Sequence, residues 1–350
     1  MPDRFRFDPR AKKPKFHLPV TTNQPRPIAR EPGSQSTRQK IAICSTFKDE
    51  APFLDEWVAF HRKQGVDHFY LYNNFSTDAF AEALAPHKSY VTITDWPIPY
   101  LEGGQLKALL HAIETYGTSY RWLVMIDIDE FVFGPNRPLV DELALEPFAS
   151  ADQILINTIN YGTSSVFNLP KRQMLSTLVR RAPLWWQRNA QRKCIVNPGA
   201  VTRVPDVHEM EMARDSVYVS GSGTTIKPSK IRRHRRGMGR VRSLRRIVSK
   251  FVFRMPHLVQ LIPSSIMLFL TPYEYTNFTF FDGVSRIRIN HYVLRSKGHF
   301  EEKKRRFVGT QFESKYDESY FKYHDQTQVH DPVLADWDGK GLYVNREGNR

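Results

Sequence analysis

The sequence predicts an α/β protein on a doubly wound, mainly parallel sheet, with irregular additions towards its C-terminal half. Three observations carry this expectation. Apolar runs and amphipathic segments alternate as β-α-β-α-β-α-β between residues 41 and 129, with short connections. The last run, residues 122–126, holds five consecutive apolar side chains, which suits a strand covered on both faces. A chain of 350 residues is ample for one large α/β domain with decoration.

Residues 1–38, rich in Pro, Arg, Lys, Ser and Thr and without periodicity, read as a disordered basic tail. Residues 41–47 form the first predicted strand. A helix follows, with Asp49 as its expected N-cap and Pro52 in its first turn. Phe53, Leu54, Trp57, Val58 and His61 fall on one helical face, and Gly65 ends the helix. Residues 68–72 are the second strand. The polar loop 73–78 precedes a helix through Phe80, Ala83 and Leu84. Residues 90–95 are the third strand and 106–116 an amphipathic helix. The run 122–126 is the fourth strand.

That fourth strand ends abruptly in Asp127 and Asp129. Alternate side chains on a strand point the same way, so both carboxylates are expected to project together from its C-terminal end. In open α/β sheets this edge is where ligands bind. Two carboxylates fixed together there suit a divalent cation, which would hold a diphosphate against them. The plainer reading of such a pair is a turn cap or a partner for one of the many Arg residues.

The later half is less regular. Residues 154–157 and 286–292 read as strands and 299–307 as a charged helix; the end is expected to be polar and frayed from about Thr327. The core domain is expected over 39–310 and a tail over 311–350. Residues 227–254 are densely basic and lead into apolar positions up to Leu261. An interfacial anchor on anionic lipid, within an insertion at 227–265, is the expectation for this segment, with a plain solvated surface as the alternative. Aromatic residues are absent between 231 and 250, which argues against a nucleic-acid site.

Composition narrows the class. A hydrophobic fraction of 41% fits a globular protein, and a net charge of +15 calls for an anionic partner. Two cysteines, Cys44 and Cys194, provide neither a disulfide framework nor zinc spacing. No apolar signal core opens the chain, and no clean transmembrane helix is read between 251 and 270. A cytoplasmic location, peripheral on the inner face of the plasma membrane, is the expectation.

Several segments, taken in order, resemble a known family. These are Lys48-Asp-Glu50, Glu56-Trp57, His61, 65–69, Asn74, 76–78, Trp96-Pro97, Gln105, His111 and Asp127-Ile-Asp-Glu-Phe131. Further on come Tyr161-Gly-Thr-Ser164, 193–198, Val207-His208, Asn290-His-Tyr292 and Arg295-Ser296. Together they resemble a bacterial glycosyltransferase group related to families 2 and 92, the former domain of unknown function 23, over roughly residues 40–307.

The resemblance implies a GT-A fold, an Asp-x-Asp motif, a nucleoside-diphosphate-sugar donor and a divalent metal, Mn²⁺ or otherwise Mg²⁺. The acceptor would be a glycan or glycolipid hydroxyl, in polysaccharide biosynthesis. Asp127 and Asp129 would serve the metal, and Asp127 also the nucleotide. A late histidine would complete the metal site: His208 by its place in the chain, or alternatively His291. Thr46, Lys48 and Glu50 at the end of the first strand, Asn74 and Asp78 at the end of the second, and Gln105 would grip the donor. Inverting transfer needs a carboxylate base. Asp206 and Glu209 are candidates, beside Glu130 and Asp152.

Two other classes compete. A haloacid-dehalogenase-like phosphohydrolase also ends a strand in Asp-x-Asp, but this chain has Phe131 where Thr or Val commonly follows, and its pair comes after three β-α units. A non-enzymatic protein binding anionic membranes would leave the carboxylate pair without a use.

Overall fold

The computed structural model describes residues 18–20, 39–184, 186–226, 285–306 and 316–339. The basic segment 227–265 lies outside the described residues. So does most of the expected N-terminal tail, but its residues 18–20 include a short strand, β1 (Leu18–Pro19).

The alternation read from the sequence is present. β2 (Ile41–Phe47) leads into α1 (Ala51–Lys63), then β3 (His68–Asn73), α2 (Phe80–Leu84), β4 (Val91–Asp95), α3 (Gly104–Tyr116) and β5 (Trp122–Met125). β2 pairs in parallel with β3 and with β5, and β3 pairs in parallel with β4. Alternate residues face opposite sides of this sheet, as a pleat requires. Ile41, Ile43, Phe69, Leu71, Trp122 and Val124 enter the core beneath α1, while Ala42, Cys44, Tyr70, Tyr72, Leu123 and Met125 enter the core on the α3 side. The expected apolar face of α1 is buried, with Trp57 and His61 at 0% exposure.

The start of α1 differs from expectation. Asp49 is not its N-cap: its backbone is left-handed, at φ 54°, and its Oδ1 accepts the Thr77 N–H at 2.8 Å. Instead Asp78, from the loop after β3, accepts the Ala51 N–H at 2.7 Å. The turn at Asp49 carries its carboxylate away from the helix, and the neighbouring loop satisfies the orphan donor. At the other end, Gly65 has φ +88°, and a Cβ there would lie 2.3 Å from Val140 Cγ1. Conformation and space both require glycine.

β5 stops at Met125. Residues 127–130 form a turn closed by the Glu130 N–H on the Asp127 carbonyl at 3.0 Å, and β6 (Glu130–Phe133) starts from its last residue. Asp127 and Asp129 therefore do not share a strand face by alternation; a turn carries them both.

After α4 (Leu139–Leu143) comes β7 (Gln153–Asn160), then α5 (Met174–Thr177), β8 (Arg180–Arg181) and β9 (Arg192–Val196). β9 lies between β5 and β7 and is antiparallel to both. β10 (Val201–Val204) pairs with β1 and with β11 (Glu211–Met212) in a separate small sheet. β12 (Tyr218–Ser220) pairs in parallel with β7 and antiparallel with β13 (Thr225–Ile226). β14 (Arg288–His291) joins β6 antiparallel and β7 parallel. The ten-stranded sheet runs β13-β12-β7-β9-β5-β2-β3-β4, with β6 and β14 beside this path. It is an α/β fold on a mainly parallel sheet, as expected.

The C-terminal segment departs from the expected tail. α6 (Lys297–Arg306) is followed by α7 (Glu318–His324) and by β15 (Val329–His330), which pairs with β8. Leu334 and Trp337 are buried in the core beneath α1, and the Trp337 ring meets the Phe60 ring edge-on at 5.7 Å. Burial of that indole holds residues that the polar sequence from Thr327 left without a partner. No described helix is long and apolar enough to cross a membrane.

Candidate active site

The site grows from the turn after β5. Because β2, β3, β4 and β5 run parallel, this turn shares one sheet edge with the loops after Phe47, Asn73 and Asp95. Four separate elements bring polar side chains to it.

Asp127 is held on both oxygens. Gln105, on the first turn of α3, donates Nε2–H to Oδ1 at 2.9 Å, and Lys193, on β9, places Nζ 2.6 Å from Oδ2. The Asp127 N–H donates to Glu130 Oε2 at 2.9 Å, and Lys193 Nζ lies 3.1 Å from that same oxygen. Burial pushes the Glu130 carboxyl up to about 7, against the pull of Lys193. Burial alone would lower Lys193, yet Asp127 and Glu130 raise it above the ordinary ammonium value, so it stays charged.

Asp129 faces another strand. β14 lies antiparallel to β6 with His291 opposite Glu130, and the Tyr292 N–H donates to the Asp129 carbonyl at 2.8 Å. His291 Nε2 then lies 3.5 Å from Asp129 Oδ1. Burial would raise the Asp129 carboxyl, but the charge and hydrogen bond of His291, with Arg295 and Lys303, hold it well below the usual range. Burial would lower His291, and Asp129 reverses that, so its pKa is raised.

The two histidines thus differ in placement. His291, the alternative, is the one in contact with the acidic pair. His208 instead sets Nδ1 2.8 Å from the Arg192 carbonyl and Nε2 3.5 Å from Gln191 Nε2. Burial and the nearby Lys193 lower its pKa to about 4, leaving it neutral.

The expected donor grip resolves into two groups. Thr46 is the penultimate residue of strand β2 and Lys48 is exposed just beyond its end. Gln105 meets Asp127. The other three build the edge itself. Asn74 donates Nδ2–H to the Trp96 and Ile98 carbonyls, both at 2.8 Å, joining two loops. Asp78 completes the first turn of α1. Glu50, raised by burial despite Arg295, is ion-paired with Arg295. The Arg295 guanidinium stacks 3.8 Å over Phe53. These side chains sit at strand ends, where unpaired backbone groups need partners.

The base candidates are engaged elsewhere. Glu209 pairs with Arg192, and both side chains are nearly excluded from solvent. Asp206 Oδ1 accepts the His208 and Glu209 N–H groups at 2.7 and 3.1 Å. Asp152 accepts from Asn197 Nδ2 at 2.9 Å and from the Val217 N–H at 3.0 Å. His111 packs between helix and sheet, with Nδ1 2.8 Å from Tyr72 Oη.

The description Glycosyltransferase family 92 matches residues 39–257, more than half of the chain. The chain belongs to glycosyltransferase family 92.

Family-92 relatives are found in plants. One from Oryza sativa subsp. japonica is 27% identical over 216 residues, covering 58% of this chain and 35% of that protein. One from Arabidopsis thaliana is 26% identical over 210 residues, covering 55% and 35%. The chain spans about a third of the length of these curated relatives. Among solved structures, glucosyl-3-phosphoglycerate synthase from Mycobacterium tuberculosis, crystallised with Mn²⁺, UDP-glucose and phosphoglyceric acid, is similar with a TM-score of 0.26. That match has 17% identity over 34% of this chain and 44% of that one. S. aureus TarS 1–349 is similar with a TM-score of 0.30 and 12% identity, over 46% and 48%. Membership of family 92 displaces the phosphohydrolase reading.

Two residues of this candidate site were not assigned roles from sequence alone. Lys193 carries the clearer signal, as the second of two cations, after Arg192, at the head of the apolar run Cys194-Ile-Val196. Arg295 carries none beyond its place in a motif.

Among the described residues, no group of three or more His, Cys, Asp or Glu is arranged to hold a metal ion. A cation shared with a diphosphate needs only one or two protein ligands, since phosphate oxygens and water complete its shell. An ionised carboxylate beside an imidazole, Asp129 with His291, fits that demand and suits Mn²⁺.

Proposed function

We propose that this family-92 chain moves a sugar from a nucleoside-diphosphate-sugar to a glycan or glycolipid hydroxyl, with inversion, at the turn carrying Asp127 and Asp129. The observation that carries the reading is the meeting of Asp129 with His291, beside an Asp127 gripped on both oxygens, at the ligand-binding edge of the sheet. Asp129 and His291 would hold a divalent cation, Mn²⁺ or Mg²⁺, which when bound neutralises the departing diphosphate.

The protein side chains divide the remaining work. Asp127, fixed by Gln105 and Lys193, offers an oriented acceptor for donor hydroxyls. Thr46 and Lys48 border the same edge, and the Lys48 ammonium would add positive charge there for the phosphates. Asn74 and Asp78 hold the edge loops in shape, so the donor meets a surface that is already ordered.

The experiment is a panel of UDP- and GDP-sugars assayed for hydrolysis and transfer with Mn²⁺, with Mg²⁺ and with EDTA. Cation-dependent turnover of at least one sugar nucleotide supports the reading. No turnover, together with no binding of UDP or GDP, overturns it.

The basic sequence 227–261 adds a second expectation, attachment to the inner face of an anionic membrane. Each Lys or Arg near such a surface contributes about 1 kcal/mol. Liposome flotation with and without phosphatidylglycerol tests it; equal, negligible flotation in both overturns it.

A further inference from the structure

Lys193 is an unusual residue to find where it lies. Its side chain is 3% exposed, on the antiparallel strand that fills the middle of the sheet. Burying an ion pair seldom adds stability over an apolar pair of similar volume. A purely structural explanation for this lysine is therefore weak.

Its contacts suggest another. The register of β5 with β9 sets Met125 opposite Cys194, which brings Lys193 to the point where β5 ends and the acidic turn begins. From there Nζ reaches Asp127 Oδ2 at 2.6 Å and Glu130 Oε2 at 3.1 Å. Glu130 Oε2 also receives the Asp127 N–H at 2.9 Å. The backbone and side chain of Asp127 are thus pinned through one small ring of contacts. Gln105 fixes the remaining oxygen from the opposite side. The three carboxylates Asp127, Asp129 and Glu130 occur within four consecutive residues, and their mutual repulsion would otherwise open the turn.

We propose that Lys193 is a positioning residue: its ammonium holds the Asp127 carboxylate in the orientation that meets the donor, and keeps the acidic turn assembled before donor and cation arrive. This rests on the sugar-nucleotide reading of the site given above. Lys193 acts through Asp127 and touches no reacting atom.

The single variant Lys193→Met leaves Glu130 buried without its cation and can fail to fold. The double variant Glu130→Gln/Lys193→Met removes both charges, keeps an acceptor for the Asp127 N–H and fills the lysine's volume. Calorimetry on the full chain would measure binding of UDP and of GDP, with Mn²⁺ and with EDTA, alongside circular dichroism and thermal melting.

The double variant is expected to fold as the parent does yet bind the preferred nucleoside diphosphate about tenfold or more weakly. Lys193→Arg, which keeps the charge, is expected to recover part of that loss. Steady-state kinetics should show KM for the sugar nucleotide rising more than kcat falls. A folded double variant that binds within twofold of the parent overturns the role of Lys193 while leaving the transferase reading intact. A parent that binds neither nucleotide and turns over no sugar nucleotide overturns both.

Discussion

His291 Nε2 lies 3.5 Å from Asp129 Oδ1, although 162 positions along the chain separate the two residues. Strand β14 makes this possible by pairing with β6 directly after the acidic turn. The contact assigns different expectations to two histidines that the sequence presented as alternatives.

His291→Ala is accordingly expected to raise the Mn²⁺ midpoint of activity about tenfold or more, the equivalent of about 1.4 kcal/mol. His208→Ala should shift it far less, because its ring hydrogen-bonds the Arg192 carbonyl. Titrating activity against Mn²⁺ for both variants decides. A larger shift for His208→Ala would return the metal role to that residue.

Asp127→Ala and Asp129→Ala are each expected to abolish transfer while leaving the thermal unfolding profile close to that of the parent. Both carboxylates lie on a turn outside the apolar core. EDTA should abolish activity and added Mn²⁺ restore it. Full activity in EDTA would exclude a required metal.

Glu209 gives a test of the base assignment. As a general base, its loss would cost about 10²–10⁴ in rate. Its buried pairing with Arg192 predicts a fold defect instead, about 3–5 kcal/mol for removing one partner. Glu209→Leu should lower the denaturation midpoint sharply, with kcat per folded molecule little changed. A stable but inactive variant would reinstate Glu209 as the base.

His61 makes stability depend on pH. It is fully buried, with Nδ1 2.8 Å from the Trp57 carbonyl and Nε2 accepting the Val132 N–H at 3.2 Å. Burial lowers its pKa from 6.5 to about 3. Between these values the unfolded chain binds a proton that the folded chain refuses. The stability His61 contributes is therefore complete above pH 6.5 and declines as pH falls towards 3. His61→Phe should flatten that part of the curve. It should also cost about 1–3 kcal/mol for the unpaired Val132 N–H. Denaturant melts across pH 4–8, compared between the two proteins, would show it.

Trp337→Ala is expected to destabilise the whole domain by about 3–5 kcal/mol, as for other buried aromatic truncations. The indole packs on Phe60 of α1, with Lys63 Nζ 5.3 Å from its centre. An unchanged melting temperature would mean that the C-terminal segment adds nothing to the core.

The sequence by itself determined the alternating first half of the fold. The run 122–126 is apolar throughout, 41–44 likewise at the head of the first strand, and the α1 face repeats at helical spacing, so local pattern and burial demand the same structure. It also determined that Asp127 and Asp129 lie at the carboxyl edge, because a buried strand cannot continue through two carboxylates.

Only the tertiary structure decided what those carboxylates touch. Lys193, Gln105 and His291 reach them from β9, α3 and β14, and the pairing of β5 with β9 and of β6 with β14 is a long-range choice that no local spacing encodes. The same holds for Glu50 and Asp78. Their residue types suit a ligand or a loop equally well, and partners distant in sequence fixed their use: Arg295 for the first, the open N–H of Ala51 for the second. Polar side chains at strand ends take whatever charge or unpaired donor the fold brings within reach, so their roles follow from packing and not from composition.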